Sequence, residues 1–129
     1  IDTHACHVVY ALQRTLYDAV MALAPRLSVV HGITELVSLT IPSTADAVAA
    51  RWTGQHVEIV VMRDHNLLLA TQTIATTVED AAYHILNAYR QLDVKTDVTP
   101  LQLKDMQVVK DPSGAAMLRG LLNNYLQLA

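Results

Sequence analysis

The chain has 129 residues, a net charge of −3, 52% hydrophobic content and no Phe; that length suits one domain able to bury about two thirds of its unfolded surface. Its nine Lys and Arg are scattered from Arg14 to Arg119, which argues against a nucleic-acid surface, because phosphate binding needs clustered cations. No apolar run approaches the ~18–20 residues of a membrane span, and the single Cys6 excludes an intrachain disulfide.

The chain begins at Ile1 rather than Met, so a signal peptide can lie upstream, but Cys6 lacks the preceding apolar stretch of a lipoprotein cleavage site. Val8, Val9, Leu12, Leu16, Ala19, Val20 and Leu23 recur at threes and fours, which predicts a helix over residues 7–24 stopped by Pro25. Residues 27–31 read as a short strand or linker, and Gly32 permits a turn. Val37, Leu39 and Ile41 alternate with Ser38 and Thr40, the period of a half-buried strand over 37–41, which Pro42 ends.

Two helix starts share one device. Ser43 with Asp46, and Thr77 with Asp80, each place a hydroxyl at the cap and a carboxylate three residues on, so both satisfy orphan amides. The first predicts a helix over 44–53 that points Ala45, Val48, Ala49 and Trp52 one way, with Gly54 as a left-handed C-terminal cap. Between the two helices, strands over 57–61 and 67–71 flank the turn residues Asp64, His65 and Asn66, forming a hairpin. The second cap opens a helix over 78–91 with Val78, Ala81, Ala82, Ile85, Leu86 and Tyr89 on one stripe. Strands over 94–98 and 101–109 follow. Asp111 and Pro112 then start a helix over 112–128 that carries Met117, Leu118, Leu121, Leu122, Tyr125 and Leu126.

The expected architecture is α+β: a two-layer domain with a small mixed sheet and two packed helices, plus an additional helix at each terminus. The core spans 35–110, and the helices over 7–24 and 112–128 are peripheral, each with a stripe to bury on the core or on another chain.

Residues able to do chemistry are present but uncoordinated. His4 and His7 flank Cys6, yet structural zinc wants four ligands, and His31, His56, His65 and His84 are dispersed as surface or turn residues. Cys6 lies near a chain end, a poor place for an activated nucleophile. Glu58, Asp64, Asp93 and Asp97 read as solvated carboxylates, and the glycines at 32, 54, 114 and 120 stand singly rather than in a phosphate loop. Trp52 reads as core more than as an interface anchor. No catalytic, cofactor-binding or metal residue is assigned, and no cofactor is expected.

The order strand (VSLTI), capped helix (STADAVAARWTG), strand (VEIVV), strand (LLLAT), capped helix (TTVEDAAYHILNAY) and strand pair (DVKTDV, LQLKDMQVV) resembles the small periplasmic domain at the start of secretins. It is similar also to the signalling domain of TonB-dependent receptors and to DotD-type lipoproteins of type IV secretion systems. The matching features are Gly54, residues 57–61, Thr77 to Asp80, and Ala82 with Ile85 and Leu86. The resemblance implies a non-enzymatic interaction subunit of a bacterial envelope secretion or conjugation assembly, in the periplasm. It would bind other protein subunits through sheet edges and helix faces as a homo- or hetero-oligomer, with no nucleic acid and no membrane span of its own.

A second resemblance is to the strand, turn and helix near the end of class II aldolases, where an Asn-His-Gly turn supplies a zinc ligand. His65 would be that ligand, with Asn66 where Gly is expected and no His-x-His pair upstream. It implies a small zinc-dependent enzyme or a degenerate relative of one.

Overall fold

Thr77 opens the best-specified helix. Its backbone is extended (φ −123°, ψ 160°) and its hydroxyl accepts a hydrogen bond from the Asp80 amide at 3.1 Å, the cap expected there. The helix closes on Asp93, held left-handed at φ 54°. There the Val94 amide donates to the Tyr89 carbonyl at 2.8 Å and the Asp93 amide to the Arg90 carbonyl at 3.3 Å, which satisfies carbonyls of the last turn.

The computed structural model describes residues 14–23, 32–40, 46–104 and 112–129. In chain order its elements are α1 (Arg14–Leu23), α2 (Gly32–Thr40), β1 (Ala47–Trp52), β2 (His56–Arg63), β3 (Asn66–Ile74), α3 (Val78–Gln91), β4 (Leu101–Leu103) and α4 (Pro112–Leu122). The strands form one mixed sheet in the order β3-β2-β1-β4. β2 runs antiparallel to β1 and β3, while β4 lies parallel to β1.

Both faces of the central strands β1 and β2 are covered. Val48, Ala50, Val57, Ile59 and Val61 pack with Ala82, Ile85 and Tyr89 of α3 and with Leu118 and Leu122 of α4. On the other face Ala47, Ala49, Val60 and Met62 pack with Leu36 and Val37 of α2. The α+β class and the mixed sheet agree with expectation, and α2 adds cover on the second face.

Several segments fold differently from their sequence reading. Residues 37–40, expected as a strand, belong to α2, because Ile33, Leu36, Val37 and Thr40 also fall at helical spacing and that period is the one buried. Ile41 lies outside the described residues. Residues 47–52, expected as a helix, are β1. A central strand packed on both faces shows no alternation, and Ala47 to Arg51 are all buried. Ser43 and its cap lie outside the described residues. Gly54 does adopt a left-handed conformation (φ 91°), but in the turn joining β1 to β2.

Residues 94–98 form turns rather than a strand, with Val94 buried and Val98 68% exposed. β4 starts at Leu101 as expected and ends at Leu103; residues 105–109 are outside the description. The hairpin is present and longer than expected. Asp64 and His65, at φ 51° and 62°, make the two-residue turn whose twist matches its strands. Of the expected helix over 7–24, Arg14–Leu23 is helical and the remainder is outside the described residues.

The last helix is shorter than expected and is not peripheral. α4 stops at Leu122, and the chain turns back so that the Leu101 amide donates to the Gln127 carbonyl and the Ala129 amide to the Leu101 carbonyl, both at 2.8 Å. Leu118, Leu122 and Leu126 are core residues. Leu122→Ala is therefore expected to cost ~2–5 kcal/mol, whereas Met117→Ala, at a position 59% exposed, should stay within ~0.5 kcal/mol; urea unfolding of both variants checks the contrast.

Candidate functional site

The two edges of the sheet are treated differently. β4 is bridged on its outer side by the returning C-terminal segment through Leu128. β3 has no strand beyond it among the described residues. Its nine residues include no charge and no proline, the usual means by which an edge is protected from pairing.

Register and burial orient this strand. Leu69 pairs with Val61 and packs on the α3-side core, and Ala70 pairs with Val60, a residue of the α2-side core. Ala70, Gln72 and Ile74 therefore share the α2 side, and all three are exposed, Ile74 by 71%, while an irregularity between Val61 and Met62 leaves Leu68 without a register partner. The ladder phase follows from the Ala75 amide, which donates inward to the Gln55 carbonyl at 2.8 Å. Antiparallel alternation then aims the amides of Thr71 and Thr73 at β2 and those of Ala70, Gln72 and Ile74 away from the sheet.

The charged side chains are committed to one another. Arg51 and Glu58 are register partners on β1 and β2, both nearly buried, and form a two-pronged pair: Nε to Oε1 at 3.1 Å and Nη2 to Oε2 at 3.2 Å. Arg51 Nη1 also donates to Glu35 of α2 at 3.2 Å, and Lys104 donates to the same Glu35 oxygen. The alternating chain Glu58, Arg51, Glu35, Lys104 ties both central strands, α2 and the residue after β4 together with no net charge. A second clip joins Arg63 to Asp46 at 2.9 and 3.0 Å and to the Leu92 carbonyl at 3.1 Å, so β2 holds the end of α3.

The residues singled out from sequence do not converge. His65 is exposed at the hairpin tip, His56 begins β2, and His84 lies against Tyr83 with ring centroids 5.4 Å apart. Among the described residues no group of three His, Cys, Asp or Glu could hold a metal ion. His4, Cys6, His7 and His31 lie outside the description. Glu58 corrects its reading as a solvated carboxylate, since it is 6% exposed against Arg51. Asp64 and Asp93 serve left-handed turns, and Asp97 is exposed in a turn. Trp52 is half-buried against the core, its Nε1 donating to the Ala75 carbonyl at 2.8 Å. Arg51 was missed, because its partner is specified only by strand register. A hollow of about 300 Å³ is lined by Leu39, Gln102, Leu103, Lys104 and Ala129, and its one cation is already held by Glu35.

Residues 1–113 match a family model described as protein of unknown function (DUF3822). No curated protein matches the chain. Among solved structures it is similar to a Bacteroides thetaiotaomicron protein described as having an actin-like ATPase fold and unknown function, with a TM-score of 0.66 and 17% identity. The match covers 91% of this chain and 46% of that one. The chain thus spans under half the length of its structural neighbour, and the likeness is one of fold.

Glu58→Ala would strand a buried guanidinium and is expected to cost ~3–5 kcal/mol, measurable by urea unfolding, while replacing both partners with apolar residues should recover much of that loss. The half-exposed pairs shape the acid response. A hydrogen bond and the charge of Lys104, and then Arg51, hold the Glu35 carboxyl below its usual 4.5, and a hydrogen bond from Arg63 holds Asp46 below 3.8. Folded values lower than unfolded ones mean stability that is present at neutral pH and lost as pH falls through the folded values. The melting temperature should therefore decline below about pH 4, and Lys104→Met should reduce that decline.

Proposed function

The chain belongs to the DUF3822 family, described as of unknown function, and from the open edge of its sheet we propose that it is a non-enzymatic interaction subunit that binds another protein by accepting a strand along β3. The observation that carries this reading is the edge itself: nine uncharged residues, outward amides at Ala70, Gln72 and Ile74, and an Ile74 side chain 71% exposed. Strand addition takes affinity from main-chain hydrogen bonds and selectivity from alternate side chains. Ile74 is the apolar side chain on offer there.

The resemblance to secretin N-terminal domains, TonB-receptor signalling domains and DotD-type lipoproteins supports a place in a bacterial envelope assembly with other protein subunits. Its parts that coincide with observed elements are the hairpin of β2 and β3 and the Thr77-capped α3. Its first strand and first helix are the segments that fold as α2 and β1.

The fold of the structural neighbour makes nucleotide hydrolysis the enzymatic alternative, and this chain's own groups weigh against it. Arg51, Arg63 and Lys104 are paired with carboxylates. At the β1–β2 turn, where a glycine leaves backbone amides near the surface, the Thr53 hydroxyl accepts from the amides of Gln55 and His56 at 3.3 and 3.0 Å. The aldolase-like alternative has no converging ligands around His65 among the described residues.

A photoreactive residue in place of Gln72 is expected to give protein adducts in the native host. Ala70→Pro, which removes an outward amide without touching the ladder to β2, should abolish them. Adducts unchanged by Ala70→Pro would remove the edge from the mechanism.

A further inference from the structure

We propose that the outer face of α3 from Tyr83 to Arg90 is a docking site for an acidic segment of a partner protein, one that sets a carboxylate beside an aliphatic side chain. Tyr83, Leu86, Asn87 and Arg90 recur at the spacing of one helical face and line a hollow of about 180 Å³. The site shares no residue with β3. Its floor and one wall are held in place. Leu86 is half-buried against the core, and the Tyr83 ring, 60% exposed, stands edge-on to His84 with centroids 5.4 Å apart and planes at 70°. One helix carries all four residues, so little freedom is lost when a partner docks on them.

The unspent groups define the ligand. Arg90 Nη2 donates to Asn87 Oδ1 at 3.3 Å, which occupies the amide oxygen and leaves the Asn87 nitrogen as a donor without a partner among the described residues. The Tyr83 hydroxyl likewise meets no acceptor there. Arg51, Arg63 and Lys104 are each paired with a carboxylate, but Arg90 has none within ion-pair distance among the described residues. Nor is Arg90 needed to cap α3, because the carbonyls of Ala88, Tyr89 and Arg90 already accept from the amides of Leu92, Val94 and Asp93. The acids of α3 itself, Glu79 and Asp80, sit in its first turn, ~15 Å along the axis from Arg90. Three donor groups thus border an apolar floor, with no acid among the described lining residues. A carboxylate is the acceptor that takes two such donors at once.

Size decides the kind of partner. Small-molecule and cofactor pockets run to ~300–1,000 Å³, so a hollow of about 180 Å³ is too small for a nucleotide and suits one side chain. Nucleic acid would need clustered cations, and Arg90 is the single cation among the described lining residues. Tyr and Arg are the residue types that most often anchor protein interfaces. An aliphatic side chain of the partner rests on Leu86 and Tyr83, and the adjoining carboxylate meets Arg90 and Asn87. Tyr83 and Arg90 lie ~10 Å apart along the axis, the reach of about three extended residues.

Fluorescence anisotropy with a labelled peptide carrying Leu-Glu-Leu-Glu in a Gly-Ser background should show saturable binding to the protein, and the Leu-Gln-Leu-Gln counterpart should bind about tenfold more weakly or worse. Arg90→Glu is expected to lose the acidic peptide and to gain one carrying Leu-Lys-Leu-Lys, a reversal that damage to the helix would not produce. Tyr83→Ala should weaken acidic-peptide binding by about tenfold. Both variants should melt close to the parent, since both positions are exposed. No binding of the Leu-Glu peptide, equal binding of the Glu and Gln peptides, or acidic-peptide binding that survives Arg90→Glu overturns the proposal. Binding that survives Arg90→Glu but is lost in Ala70→Pro would place the peptide on the β3 edge, so the two docking readings fail separately.

Discussion

β1 is a strand of small residues buried on both faces, and the other elements are arranged around that burial. Ala47 and Ala49 let α2 approach one side while Val48 and Ala50 meet the α3 core on the other. β2 and β4 take its two hydrogen-bonding edges. Such a strand ends in difficulty if its last residues are charged, because an isolated ion in this setting costs several kcal/mol. Arg51 is tolerated because Glu58 stands directly across from it in the β1–β2 register and Glu35 reaches it from α2. The same pair penalises slippage, since shifting either strand by one residue would send its charge into the α3-side core and strand the other.

The openness of β3 follows from how that burial is achieved. α2 packs on β1 and β2, and a helix of ~10 Å diameter spans about two strands spaced ~4.8 Å apart. β3 is the third strand on that face and lies beyond its reach. On the other side Leu69 makes β3 part of the core, so the strand is anchored through one face and, among the described residues, bare on the other. The opposite edge of the sheet is closed by the C-terminal segment folding back on Leu101. One sheet thus has a sealed edge and an unsealed one, and the charges that could have guarded the latter are spent inside the fold, on the Arg51 chain and the Arg63 clip.

The hairpin and α3 were legible because their instructions are local. Thr77 bonds an amide three residues away, and Asp64 with His65 sets the turn in its own backbone. Alternation in β3 could be read because its two faces differ, whereas β2, buried on both, was marked by its run of branched residues beside the turn. The candidate site was legible only in part. That Leu67 to Thr71 form a strand is written in the composition, but that this strand ends the sheet depends on which strands pair, and no window of sequence contains that. The histidines within the described residues occupy a turn, a strand start and a helix face.

The sequence by itself determined the points where the backbone must bend or cap: Thr77, the Asp64–His65 turn and the left-handed Gly54. Each is satisfied within a few residues of chain. Only the tertiary structure decided that 37–40 would be helical and 47–52 extended. Both are short apolar runs compatible with either period, and packing against the sheet chose between them. Burial on two faces erases the alternation that marks a strand, and burial on one face lets a helical stripe outweigh an alternating one. The partner of Arg51 and the bareness of β3 were decided at the same level, because pairing across strands is a property of the sheet and not of any single segment.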